Sequence, residues 1–237
     1  MDWGKAKSIL IISFLFLNAL LGYQLWASKI DIDKSIQGEA ETTESIMKLM
    51  DSKKITIAAP IPTEVPRLRK ITVQFDKTTD PDEKLKLAVV IPISVLNTRT
   101  GLKDVVAKQI PKAGSYEMDP TTHKRGIMVL NQLYGGLPMF EVNLKLYHKD
   151  SKINDYWQSH VSVQQGPEDS DQKVISAWTA LGRLIEKLEP GTEIKEIRLG
   201  YHGQIYNSET QVLIPSWRVA TSKGKIYFVH AINGELF

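Results

Sequence analysis

The sequence predicts an α+β protein: one amino-terminal transmembrane helix, then two small extracytoplasmic units, each an antiparallel sheet with a packed helix. Three observations carry this expectation. Ser8 to Ser28 contains no Asp, Glu, Lys or Arg. Several later segments alternate apolar and polar residues with the period of two of a half-buried strand. One segment, Asp169 to Glu189, repeats apolar residues at spacings of three and four, the period of an amphipathic helix.

The uncharged run comes first in the chain. As a helix, residues 8–28 extend roughly 32 Å, about the thickness of a bilayer's hydrocarbon core. Trp3 precedes the run and Tyr23 and Trp26 lie near its end, where amphipathic rings favour the two interfaces. A cleaved signal peptide would need a shorter apolar core and small residues before the cut; a cut after Ala27 puts Leu25 at the −3 position. The run is therefore read as an uncleaved anchor in the cell membrane. Residues 1–7, carrying Lys5 and Lys7, form a cytoplasmic stub, and residues 29–237 lie outside. Asn18 and Gly22 are four apart and share one helix face with Leu15 and Leu25. An amide in hydrocarbon seeks a partner and a glycine lets another backbone approach, so these four residues are the candidate lateral contact with a second membrane helix.

Residues 29–54 read as a connector, polar at first and ending in a short helix with Ile46, Leu49 and Met50 on its apolar side. Residues 55–135 form the first expected unit. Pro60, Pro62 and Pro66 keep its start at a sheet edge or in a loop. Strands are expected from Lys70 to Phe75, from Leu85 to Ile93 after an Asp80-Pro81-Asp82 turn, and from Ile127 to Leu133. Gly101 to Ile110 is expected to form one short helix, and Gly135-Gly136 stops the last strand.

The second expected unit, residues 136–237, is more regular. Phe140, Val142, Leu144 and Leu146 alternate with polar neighbours, and Trp157 to Val163 reads as their antiparallel partner. In the 169–189 helix, Asp169 is the expected cap and Val174, Trp178, Leu181, Ile185 and Leu188 form the stripe. Pro190-Gly191 ends it. Three strands follow, near 193–205, 211–222 and 225–232, with Lys223-Gly224 turning between the last two. Trp178, Trp217 and Tyr227 are expected to pack the core.

Composition and motifs exclude most chemistry. The chain has no cysteine, which removes disulfides, thiolate metal sites and cysteine nucleophiles. Its net charge of +3 gives no basic face for nucleic acid. His123, His148, His160, His202 and His230 have no metal-ligand spacing, and neither a nucleophile elbow nor a phosphate loop is present. Gly200-Tyr201-His202-Gly203 lies among strand formers, where glycine marks a bulge or close packing. The expectation is a protein that is no enzyme and has neither a cofactor nor a metal site.

Specific strings then point to a family. Met1-Asp2-Trp3 with Lys5, Lys7 and Ile9, running into Phe14-Leu15 and Tyr23-Gln24, resembles the amino terminus of the YycI (WalI) family. Residues 172–177, Leu199-Gly200-Tyr201, Val212 to Val219 and Tyr227-Phe228-Val229 resemble its carboxyl-terminal part. This last stretch is also similar to a PepSY-type hairpin ending in Asn233-Gly234-Glu235, with the departure that His230 stands where that pattern often has Asn. Residues 30–135 contribute little to the likeness. The resemblance implies a PepSY/YycH-like pair of outer units on a single membrane span. It implies regulation, together with a YycH-like partner, of the WalK (YycG) sensor histidine kinase that governs cell-wall metabolism in low-GC Gram-positive bacteria. Two alternatives stand beside it: a PepSY-like module that binds or inhibits a secreted peptidase, and a surface-anchored wall hydrolase.

Overall fold

The structure is a computed structural model that describes residues 3, 7–8, 10–23, 39–76, 83–98, 101–122, 125–164, 171–203 and 209–237. The chain divides into two compact units, Met1–Lys48 and Leu49–Phe237. In the first, residues 10–23 are helical (α1) and exposed throughout, with Leu10, Phe14, Leu15 and Phe16 each more than 60% open. A helix that is apolar all round has no water-facing side. Among the described residues no helix is long and apolar enough to cross a membrane, and residues 9 and 24–28 of the expected span lie outside them. The expected connector helix is present as α2, Glu39–Lys53.

The second unit is mostly sheet. Its strands are β1 (Thr56–Ile57), β2 (Arg67–Leu68), β3 (Ile71–Phe75), β4 (Leu85–Pro92), β5 (Tyr116–Met118) and β6 (Ile127–Tyr134). They continue with β7 (Leu137–Lys149), β8 (Lys152–Gln158), β9 (Val161–Gln164), β10 (Gln172–Lys173), β11 (Glu193–His202), β12 (Thr210–Thr221) and β13 (Ile226–His230). The short helices are α3 (Gly101–Asp104) and α4 (Ala177–Ile185). Among the described residues one large sheet runs β4-β8-β7-β11-β12-β3-β9, with β13 beside β12, β6 beside β7, β5 beside β6 and β1 beside β11. Neighbours are antiparallel except β1 with β11 and the single β7–β11 pairing of Met139 with Tyr201. The Asp80-Pro81-Asp82 turn lies outside the described residues. Gly135-Gly136 is the turn of the β6–β7 hairpin, with φ of +56° and +81°, a region that glycine enters without steric cost.

Among the described residues two apolar clusters stand out, beside the buried face of α4 and Trp217. One gathers Leu87, Ile91, Val106, Ile110, Leu130, Leu144, Leu146 and Ile153; the other Ile71, Val73, Met139, Val142, Val161, Tyr201 and Leu213. The long strand β7 contributes to both. Gly200 serves close packing: a Cβ there would stand 2.5 Å from the Pro138 carbonyl oxygen and 2.6 Å from the Phe140 ring.

Three expectations are corrected. The helix expected over 169–189 is only α4, because Gln172–Lys173 pair with β2 and the Ile175 amide donates to the Ala231 carbonyl. Its cap is Ser176, whose hydroxyl accepts from the Thr179 amide at 3.2 Å; Asp169 lies outside the described residues. Chain committed to strand pairing cannot coil, so a local serine starts the helix. The strand expected over 157–163 divides at Ser159–His160, where Ser159 Oγ accepts from the Asn143 amide. β8 stays with β7 while β9 crosses to β3. The helix expected over 101–110 is the single turn α3 followed by a 3-10 turn at Val106–Lys108.

Candidate functional site

The expected contact residues lie on α1. Leu15, Asn18 and Gly22 are exposed along it, and a Cβ on Gly22 would meet nothing within 4 Å. Asn18 Nδ2 donates to the Phe14 carbonyl at 2.9 Å, so one amide hydrogen is already satisfied within the helix. Leu25 lies outside the described residues.

In the second unit the most ordered polar constellation is one that sequence reasoning missed. It grows from β12, where successive side chains leave opposite faces of the sheet. Trp217 points toward α4 and donates Nε1–H to the Ile175 carbonyl at 2.9 Å. Arg218 therefore points the other way. Its guanidinium donates to both Asp119 oxygens at 2.6 and 2.9 Å and to both Glu196 oxygens at 3.0 and 2.9 Å. It also lies 4.4 Å from the centre of the Phe140 ring. Asp119 further accepts from the Thr121 amide, the Thr122 hydroxyl and Asn131 Nδ2. All three charged residues are buried: Arg218 at 2%, Asp119 at 1% and Glu196 at 8% exposure.

Burial pushes the Asp119 carboxyl up. The hydrogen bonds and charge of Arg218, with the Thr121 amide and Asn131, outweigh this and hold it well below the usual carboxylate range. Asp119 thus binds its proton more weakly folded than unfolded, where the value is near 3.9. Its contribution to stability is complete above that unfolded value and is lost as pH falls through the folded one. The stability gap between the wild type and Asp119→Asn is expected to shrink as pH drops from about 5 to about 2, by at most about 1.4 kcal/mol per unit. Urea unfolding of both proteins at successive pH values checks this; a gap that stays constant would refute it.

An aromatic group lies beside this lock. His202 stacks on Phe228 with centroids 3.7 Å apart and planes at 4°, and its Nδ1 lies 2.5 Å from Glu141 Oε1. Phe140 and Phe237 meet the same pair, and Phe237 is 57% exposed. On the lock's other side a cavity of about 420 Å³ is lined by Pro120, Thr121, Lys195, Glu196, Thr221 and Ile226. This arrangement of fixed charge, stacked rings and a shallow hollow can bind, and the hydroxyls of Thr121 and Thr122 are held against Asp119 as part of the lock. The remaining histidines are dispersed. His160 bonds Asp76, which also holds Lys112, and His230 accepts from the Ile232 amide. His123 lies outside the described residues, among which no three His, Asp or Glu side chains converge on a metal position.

The sequence carried one usable signal for the lock: Arg218 interrupts an apolar strand with only Ser216 and Ala220 beside it on its own face. An arginine so placed is buried and needs carboxylates. Which carboxylates was hidden, because they come 99 and 22 residues earlier.

The family model described as YycI protein matches residues 33–232. No curated protein matches the chain. Among solved structures, an uncharacterized protein from Eubacterium rectale ATCC 33656 is 14% identical, with a TM-score of 0.36. The alignment covers 54% of this chain and 45% of that one, so the chain spans under half of that protein. A likeness at this level bears on neither fold detail nor function.

Proposed function

The chain belongs to the YycI family, a regulatory family of the WalK two-component system, and from that premise we propose that it is a non-enzymatic, membrane-anchored regulator acting with a YycH-like partner on the WalK (YycG) sensor histidine kinase. The family match over residues 33–232 carries this reading. Two features support its form. The apolar residues of α1 are open on every side, as lipid or another helix would require. The sheet unit presents the exposed ring of Phe237 and a hollow of about 420 Å³, features that suit a binding surface. In this reading residues 8–28 span the membrane, the amino terminus is cytoplasmic and the sheet unit is extracytoplasmic.

The proposed mechanism is differential packing. A partner moves a kinase between two states only by the difference in its affinity for them. Leu15, Asn18, Gly22 and Leu25 form the contact stripe, and the sheet unit holds the YycH-like partner. Co-purification of the intact chain with kinase and partner from membranes tests the assembly. Asn18→Leu together with Gly22→Leu is expected to weaken recovery of the kinase roughly threefold, since one interhelical hydrogen bond averages about 0.6 kcal/mol. Kinase output should change while the sheet unit keeps its far-UV signature. Unaltered recovery and output would remove the stripe from the mechanism.

A further inference from the structure

A small pocket in the sheet unit shares no lining residue with the Arg218 lock. β2, the β6–β7 turn, Asp171 and β11 enclose about 200 Å³, lined by Arg67, Arg69, Tyr134, Leu137, Asp171 and Tyr201. That is the share of liquid volume of roughly seven waters. Its polar atoms are arranged unevenly. Arg67 Nη2 donates to the Asp171 backbone carbonyl at 2.9 Å, a neutral acceptor, and among the described residues no carboxylate pairs with this guanidinium. Arg69 Nε lies 3.5 Å from Asp171 Oδ1 as an ion pair. Yet Asp171 Oδ1 is buried and accepts no hydrogen bond. Tyr201, only 3% exposed, packs edge-on to Tyr134 at 5.8 Å, and its hydroxyl has no hydrogen-bond partner among the described residues. Burial, Tyr134 and Asp171 push this phenol up to about 12, against the opposing pull of Arg69, so it stays a donor.

The described lining therefore carries the two arginines and Asp171, the phenol donor of Tyr201, further N–H donors of Arg67, and one buried carboxylate oxygen that receives no hydrogen bond. A bare carboxylate would answer the donors but bring a second lone pair against Asp171. A neutral hydroxyl would answer Asp171 but bring no negative charge to Arg67. We propose that this pocket binds a phosphate group that retains a hydroxyl, as in hydrogen phosphate or a phosphomonoester. Its oxygens would accept from Arg67 and Tyr201 while its P–OH donates to Asp171 Oδ1. Hydrogen bonds to a charged group are the strong ones, and a buried acceptor left unmade is costly, so the arrangement discriminates by protonation as well as by charge.

The test is titration calorimetry on the purified full chain at neutral pH, with inorganic phosphate, sulfate and acetate as probes. Sulfate carries the charge but no proton there. Saturable phosphate binding is expected, with sulfate and acetate at least about tenfold weaker. Arg67→Gln and Tyr201→Phe should each weaken phosphate about tenfold or more with the thermal midpoint unchanged. Tyr201→Phe removes only a hydroxyl that has no hydrogen-bond partner among the described residues, so a folding defect is not expected from it. Asp171→Asn replaces the acceptor by a group that can donate, and sulfate should then bind at least as well as phosphate. Glycerol phosphate separates the sources: binding as tight as phosphate assigns an ester-linked headgroup or polymer, and weaker binding assigns the free ion. Absence of saturable phosphate binding, or binding indifferent to Arg67→Gln and Tyr201→Phe, would overturn the proposal.

Discussion

Replacing Arg218 with Met is expected to lower the unfolding free energy by about 3–5 kcal/mol. The reason is the two carboxylates left behind. Asp119 and Glu196 are 1% and 8% exposed, and the guanidinium is the cation that both of them contact. Without it, Asp119 keeps its bonds from Thr121, Thr122 and Asn131 but loses the charge that offsets its burial. Arg218→Lys separates charge from geometry: an ammonium cannot fork to two carboxylates in one plane, so this variant should fall between the wild type and Arg218→Met. Urea unfolding of the intact chain, followed by tryptophan fluorescence, measures both. A loss below about 1 kcal/mol for Arg218→Met would mean that the network is worth no more than an exposed ion pair.

The same network illustrates what sequence could and could not reveal. Period-two alternation over residues 140–146 located β7, because one-sided burial is written locally in such a strand. The strands expected near 193–205, 211–222 and 225–232 correspond to β11, β12 and β13, the first two buried on both faces along much of their length. Local pattern failed where pairing overrides it. Residues 172–175 sit in front of a good helical stripe, yet their amides are taken by β2, Pro66 and Ala231. Ser159–His160 sits within an alternating run, yet the chain changes neighbour there. Both errors concern partners distant in sequence, as does the Arg218 lock. The small pocket was equally hidden, since Arg67, Tyr134, Asp171 and Tyr201 come from four separated segments. By contrast, the strings that resembled the YycI family were local. Leu199-Gly200-Tyr201, Val212 to Val219 and Tyr227-Phe228-Val229 lie in β11, β12 and β13, which stand side by side. Gly200 in the first of them is required by the approach of β7, a contact that a larger residue would block.

The other large effect is expected at the opposite side of β12. Trp217→Ala should cost about 3–5 kcal/mol, because the ring is fully buried and the α4 interface cannot collapse onto the space it leaves. The loss has two parts. One is volume: Ala177, Ala180, Leu181, Leu184 and Ile185 of α4 are buried with it. The other is the Ile175 carbonyl, which accepts from Trp217 Nε1 just before the helix begins. Trp217→Phe keeps much of the ring and abandons that bond, so it should cost the smaller share, about 1–3 kcal/mol. Nine residues are too few to hold a helix without tertiary packing, so α4 is expected to lose much of its support with this side chain. Ile175 also donates to Ala231, which couples the helix start to the chain just after β13. Hydrogen exchange should therefore reveal a local event in Trp217→Ala: amides of residues 177–185 lose protection while those of β6 and β7 retain it. If protection instead falls evenly across the sheet, Trp217 is a general core residue and the helix is secured by other means. Lys53 supplies the obvious candidate, since its ammonium donates to the Ile185 and Glu186 carbonyls at the helix's far end.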